Sequence, residues 1–203
     1  MMNRFVILLA AGVSALTLGA AAQAADLIID APVAGVVDAS SGWEGAFIGV
    51  FGGAASGELT GDFAGTSVSG ALLGVDAGVN FDLADGVVAG LVADIAWSNQ
   101  VDEFDAMFLQ WSGSLRGRIG IDGGAFMPYL TAGLAVGQGY AEPPDVGNLH
   151  VGWTAGAGVE IAATDELSID LQYRYTNLGA KNYAGPDVGF STHQVTAGLH
   201  WNF

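Results

Sequence analysis

What the chain has little of narrows its possibilities first. It contains no cysteine, which excludes disulfides, thiolate metal sites and cysteine nucleophiles. Lysine and arginine together number 5 against 21 aspartates and glutamates, a net charge of −16. Such a chain repels phosphate backbones, and no nucleic-acid partner is expected. The 3 histidines, His150, His193 and His200, are scattered and form no metal-ligand spacing, so neither a metal nor a cofactor is expected. Charged residues make up 13% and hydrophobic ones 51%, where soluble domains carry about a quarter charged residues. Yet past the N-terminal region no apolar stretch reaches the about 20 residues a membrane helix needs. A hydrophobic, charge-poor chain with 32 glycines has one remaining way to satisfy its backbone in lipid: a closed β-barrel.

The first residues point to export. Arg4, the uncharged apolar run from Phe5 to Leu18, and Ala22-Gln23-Ala24 have the layout of a secretory signal peptide, residues 1–24, cut before Ala25. The run is short for a membrane anchor, and no basic stop-transfer cluster follows it. Residues 25–42 carry Pro32, Gly35 and Ser40-Ser41-Gly42 without sustained alternation, and read as a periplasmic extension. From Trp43 to Phe203 the pattern turns to period two. Divided among eight strands, residues 43–203 leave about 20 residues for each strand and its connection, the size of the smallest membrane barrels.

The alternation is legible segment by segment. In 71–83, Leu73, Val75, Val79 and Phe81 stand against Gly74, Asp76, Gly78 and Asn80. In 107–121, Met107, Leu109, Trp111, Leu115, Ile119 and Ile121 stand against Gln110, Ser112, Ser114, Arg116 and Arg118. Segments 151–161 and 167–175 repeat the pattern, 87–98 and 126–140 follow it with less contrast, 43–55 is apolar on both faces, and 190–203 is clear at its end, with Val195, Ala197, Leu199, Trp201 and Phe203. Successive strand residues face opposite ways, so each segment has one greasy face and one small or polar face. Tight turns are expected at Ala84-Asp85-Gly86, Asp122-Gly123-Gly124 and 163–166, and longer acidic connections near 56–67, 99–106, 141–149 and 179–189. Short ends belong in the periplasm and long ends outside. The fold expected is all-β: an eight-stranded antiparallel up-and-down transmembrane β-barrel.

A soluble, lipocalin-like barrel would turn the greasy face inward. Two features favour the opposite. The small, polar face solubilises poorly but suits a lumen barely wide enough for side chains. The apolar face carries Phe81, Trp97, Trp111, Trp153, Tyr173, Tyr175 and Trp201 mostly near strand ends, as an aromatic girdle at the lipid boundary does. The inward charges are then expected to pair across the lumen, since an unpaired buried charge is costly. Height along the strands sorts them into two tiers: Arg116, Arg118, Glu160 and Asp170 near the tight turns, and Asp76, Asp94 and Arg174 nearer mid-barrel.

Several stretches carry a family resemblance. They are the leader ending Ala-Gln-Ala-Ala-Asp, the proline-containing linker, Trp43 to Gly49, Met127 to Gly133, Leu167 to Tyr175, and the run from Val195 to Phe203. Together these resemble the small porin-like outer-membrane surface proteins, relatives of the OmpA/OmpX-type eight-stranded barrels. The resemblance implies residence in the outer membrane after passage through the periplasm, with outer-membrane lipid and lipopolysaccharide as neighbours. It also implies that the alternating terminal run, with Val195, Leu199, Trp201 and Phe203, is the signal read by the barrel-assembly machinery. Anchoring through a peptidoglycan-binding domain, as in full-length OmpA, is not expected.

Function is expected to be structural and non-enzymatic, supporting envelope integrity while exposing acidic loops. Three other readings stand beside it. Ser191 and His193, two apart near Asp187, could serve a lipid A-modifying barrel enzyme through a histidine-activated serine. A narrow porin-like channel is the second, although aqueous porins use about 16–18 strands. The third is a loop-bound extracellular partner: Glu58, Asp62, Asp102, Glu103, Asp105, Glu142, Asp145 and Asp187 could bridge divalent cations to lipopolysaccharide phosphates or meet a basic surface.

Overall fold

Period-two patterning needs partners on both sides of every strand, and the chain supplies them by closing on itself. The computed structural model describes residues 42–203 apart from Asp85, Glu103, Asp105 and 143–145. The expected signal peptide and all but the last residue of the expected extension lie outside the described residues. Eight strands run in sequence: β1 Gly45–Gly61, β2 Ser67–Ala84, β3 Val87–Asp102, β4 Met107–Ile121, β5 Phe126–Ala141, β6 Val146–Ala162, β7 Leu167–Asn182 and β8 Asp187–Asn202. Each pairs antiparallel with its neighbours, and β8 closes against β1, with Phe51 opposite Gly198 and Val50 opposite Leu199. The barrel has no free edge, so no backbone row is left unpaired toward lipid.

The apolar face looks outward. Leu73, Trp97, Leu115, Leu130, Leu134, Trp153, Val195 and Trp201 are each about half exposed or more on the outer wall, while their neighbours along each strand fill the lumen. Gly86 and Gly124, with φ of 77° and 79°, take the left-handed conformation in two of the tight turns.

Two expectations need correction. First, the strands are longer than expected, 15 to 18 residues each, and the segments read as long connections are mostly strand. At about 3.4 Å per residue and a tilt of about 35–45°, they stand roughly 40 Å tall, beyond the about 25 Å apolar band of such barrels. Second, Met107 and Leu109 point inward, at 6% and 1% exposure. The register shifts between Leu109 and Trp111 against β5, and a bulge inverts the phase of everything beyond it. The segment read as apolar on both faces, β1, places Phe47 and Phe51 inside and Ile48 and Val50 outside. The inward phenyl rings fit because Gly78 and Gly74 lie opposite them on β2; a side chain at either glycine would collide with the ring.

Candidate functional site

The buried charged residues Arg116, Arg118, Glu160, Asp170 and Arg174 make the lumen the place to look. It divides by height into a polar layer near the tight turns and an apolar layer near the other end. Beneath the polar layer, Trp43 packs with Val88, Met127 and Tyr129. Its carbonyl accepts a hydrogen bond from Asn80 Nδ2 at 2.9 Å.

The polar layer is built across the lumen, largely from strands that are not neighbours in the barrel. Arg118 on β4 donates to Glu160 Oε2 on β6 at 2.8 Å and to Asn80 Oδ1 at 2.8 Å. Its guanidinium lies 4.5 Å from the centre of the Phe47 ring, a cation–π arrangement in a desolvated setting. The His200 ring also stacks on Phe47, at 4.7 Å between ring centres. His200 Nδ1 faces Glu160 Oε1 at 2.9 Å and Nε2 faces Asp76 Oδ2 at 3.3 Å. Both ring nitrogens thus face a carboxyl oxygen. Higher up, Asp94 receives Arg116 at 3.3 Å, Arg174, and the Ser114 hydroxyl at 2.6 Å. Arg174 also donates to Gln194 Oε1 at 2.8 Å, and Arg116 to Gln172 Oε1 at 3.1 Å. Asp170 is held by the Tyr129 hydroxyl at 2.6 Å, and that hydroxyl accepts from Gln172 Nε2 at 2.7 Å. The side chains leave a void of about 10 Å³, room for about one water.

Five of the seven charges therefore pair with one another, but not in the expected tiers. Arg116, placed with Arg118, Glu160 and Asp170, pairs instead with Asp94 from the other tier. The β3–β4 register sets Val92 opposite Arg116 and Asp94 opposite Ser114, so the long arginine reaches two residues up. Asp170 finds a phenol in place of a cation, and Asp76 finds His200. Tyr129, Gln172, Gln194 and Asn80 complete the network; all sit at inward parity, but inward polarity alone does not say who meets whom.

The apolar layer goes beyond the sequence expectations. Leu59, Val68, Met107, Leu109, Leu178, Tyr183, Val188 and Phe190 form one buried cluster inside the loop end. Beside it, His150 Nδ1 donates to the Gly179 carbonyl at 2.7 Å, leaving Nε2 to accept from the Tyr183 hydroxyl at 2.8 Å. Burial pushes the Tyr183 phenol up to about 12, so it stays a donor. A signal for this layer exists. In Glu58-Leu59 and in Asp187-Val188 the alternation persists with its sense reversed, polar outside and apolar inside, and Phe190 follows Val188 inward. Above the lipid the outer wall meets water, so the greasy residues turn inward.

On the outer wall, Ser191 and His193 serve different partners. Ser191 Oγ bonds Tyr175 at 2.8 Å, His193 Nδ1 bonds Tyr173 at 2.6 Å, and Asp187 Oδ1 accepts from Asn182 at 3.1 Å. No serine–histidine–aspartate relay forms among the described residues. The terminal Val195, Leu199, Trp201 and Phe203 all face outward, at 64%, 48%, 49% and 72% exposure.

The chain matches the family described as "Outer membrane protein beta-barrel domain" over residues 8–203. It is 38% identical over 127 residues to the 25 kDa outer-membrane immunogenic protein of Brucella abortus biovar 1 (strain 9-941), covering 59% of this chain and 60% of that protein. Over 111 residues it is 35% identical to the 22 kDa outer membrane protein of Rhizobium leguminosarum bv. viciae, covering 52% of each. The matched part thus spans less than two thirds of these relatives' own length. Among solved structures it resembles Neisserial surface protein A with a TM-score of 0.54 at 19% identity, over 79% of this chain and 100% of that one, a likeness of fold.

Proposed function

Because the chain belongs to the outer membrane protein β-barrel domain family and is an outer-membrane protein, we propose that its work there is structural: a sealed barrel that supports the envelope and presents its hairpins to the outside. The observation that carries this reading is the lumen. A void of about 10 Å³ between ion-paired side chains, under a second, apolar layer, favours a wall element over a solute path. The outward apolar wall takes outer-membrane lipid and lipopolysaccharide as its surroundings. The relatives' description as immunogenic fits hairpins that stand clear of the membrane.

Under the same reading, residues 1–24 are a signal peptide removed before Ala25, and residues 43–203 are the barrel domain. The outward terminal set Val195, Leu199, Trp201 and Phe203 serves as the signal for the assembly machinery. A structural role also requires no enzymatic chemistry, in keeping with the separate partners of Ser191 and His193. Envelope permeability and detergent sensitivity of a deletion strain, against a complemented control, test the proposal. A deletion that leaves both unchanged overturns it. Large solute flux through planar bilayers holding the pure protein would favour the channel instead.

A further inference from the structure

The apolar layer of the lumen does not end flush with the loops. Above Leu59, Met107 and Val188 lies a cavity of about 310 Å³, walled higher up by Phe63 and Phe104. The volume falls at the lower end of the about 300–1,000 Å³ typical of small-molecule sites. The floor is 0% to 6% exposed, whereas Phe63 and Phe104 are 48% and 72% exposed. Both phenyl groups lie in the hairpin turns after β1 and β3, above the outward Glu58 and Asn99, and so stand in water and not in lipid. A concave, apolar, water-facing surface of this kind marks a ligand site more often than an ordinary surface. Its closed floor makes it a pocket that a molecule enters from outside and leaves by the same route.

The rim selects by charge. Asp102 lines the wall, its Oδ1 accepting the Ala106 and Met107 amides at 2.7 and 3.0 Å. Asp62, Glu142 and Asp187 each adjoin a lining residue: Phe63, Ala141 and Val188. Lys181, opposite Val188 across the β7–β8 ladder, is the one cation of this end among the described residues. A carboxylate entering the mouth is repelled, and an amine is attracted.

We infer that the extracellular mouth binds a small uncharged or cationic amphiphile, its apolar part seated on Met107 and its polar end among the rim carboxylates. This goes beyond the structural role and does not depend on it. Barrel residues 43–203 contain two methionines. Met107 floors the pocket, and Met127 is buried at the opposite end of the lumen with Trp43 and Val88. Methyl-labelled methionine in protein held in lipid nanodiscs therefore gives a probe with an internal control. Titration with decylamine and 1-decanol should shift the Met107 methyl saturably and leave Met127 still. Decanoate should bind about tenfold more weakly than decylamine. Ala106→Phe, which fills the cavity from its wall, should abolish the response; Thr66→Phe does the same from another lining position if the first variant does not fold. Glu142→Gln should narrow the gap between amine and carboxylate. An unmoved Met107, equal shifts at both methionines, decanoate binding as tightly as decylamine, or a wild-type response in a folded filling variant would each overturn the proposal.

Discussion

The two layers of the lumen solve the same packing problem by different physics. Near the tight turns, strands are joined through directed partnerships: Arg118 with Glu160, Arg116 and Arg174 with Asp94, His200 between Glu160 and Asp76. Near the loops, Leu59, Leu109, Leu178 and Phe190 fill the bore with no directed bond between them. Directed pairs fail together, because removing one member leaves a desolvated charge behind. An apolar plug fails in proportion to the volume removed and tolerates swaps that conserve volume. The difference teaches where single substitutions hurt most.

Asp94→Ala should have the largest effect. It strands two buried guanidinium groups, and breaking a buried pair costs about 3–5 kcal/mol. Urea unfolding in lipid vesicles, read by the mobility of unboiled protein on gels, measures it; a loss under about 1 kcal/mol would mean that water, not protein, solvates this layer. Phe190→Ala should follow at about 3 kcal/mol from the cavity it opens, while Phe190→Leu should lose markedly less in the same assay. Equal losses for the two would show that the ring is specified and not merely its bulk. Gln100→Leu should sharpen the contrast in the other direction. Gln100 is 1% exposed, and neither its Nε2 nor its Oε1 has a protein partner, so removing the orphaned amide should stabilise the barrel by about 1–2 kcal/mol. The smallest effect, about 1 kcal/mol, belongs to Tyr183→Phe, which removes the one hydroxyl bonded to His150 Nε2. Nitrogen chemical shifts of the imidazole would report the lost acceptor role, and an unchanged ring would place that bond in doubt.

Residues 71–83, 151–161 and 167–175 are readable because their outer face meets lipid throughout. There, large apolar residues alternate with small or polar ones, and the parity of one segment predicts the next. The strand ends near the loops are not readable as strands, because polar Glu58 and Asp187 outside and apolar Leu59 and Phe190 inside cancel the hydrophobic outer face that identifies the others. Met107 and Leu109 mislead for a different reason. A bulge costs one residue of phase, and nothing in the local sequence around Gln110 announces it. The charged lumen residues are identifiable by inward parity, but their partners depend on the stagger between strands that are far apart in sequence, as for Arg118 and Glu160.

The sequence by itself determined that this chain would be a closed eight-stranded barrel with its greasy face in lipid. Backbone groups in a bilayer must be paired within the protein, and the period-two pattern left no helix to do it. Tertiary structure alone decided which charge meets which, where the lumen changes from polar to apolar, and that its outer mouth is hollow. Those outcomes depend on register, bulge and shear, which act across strands and leave no mark in any one of them.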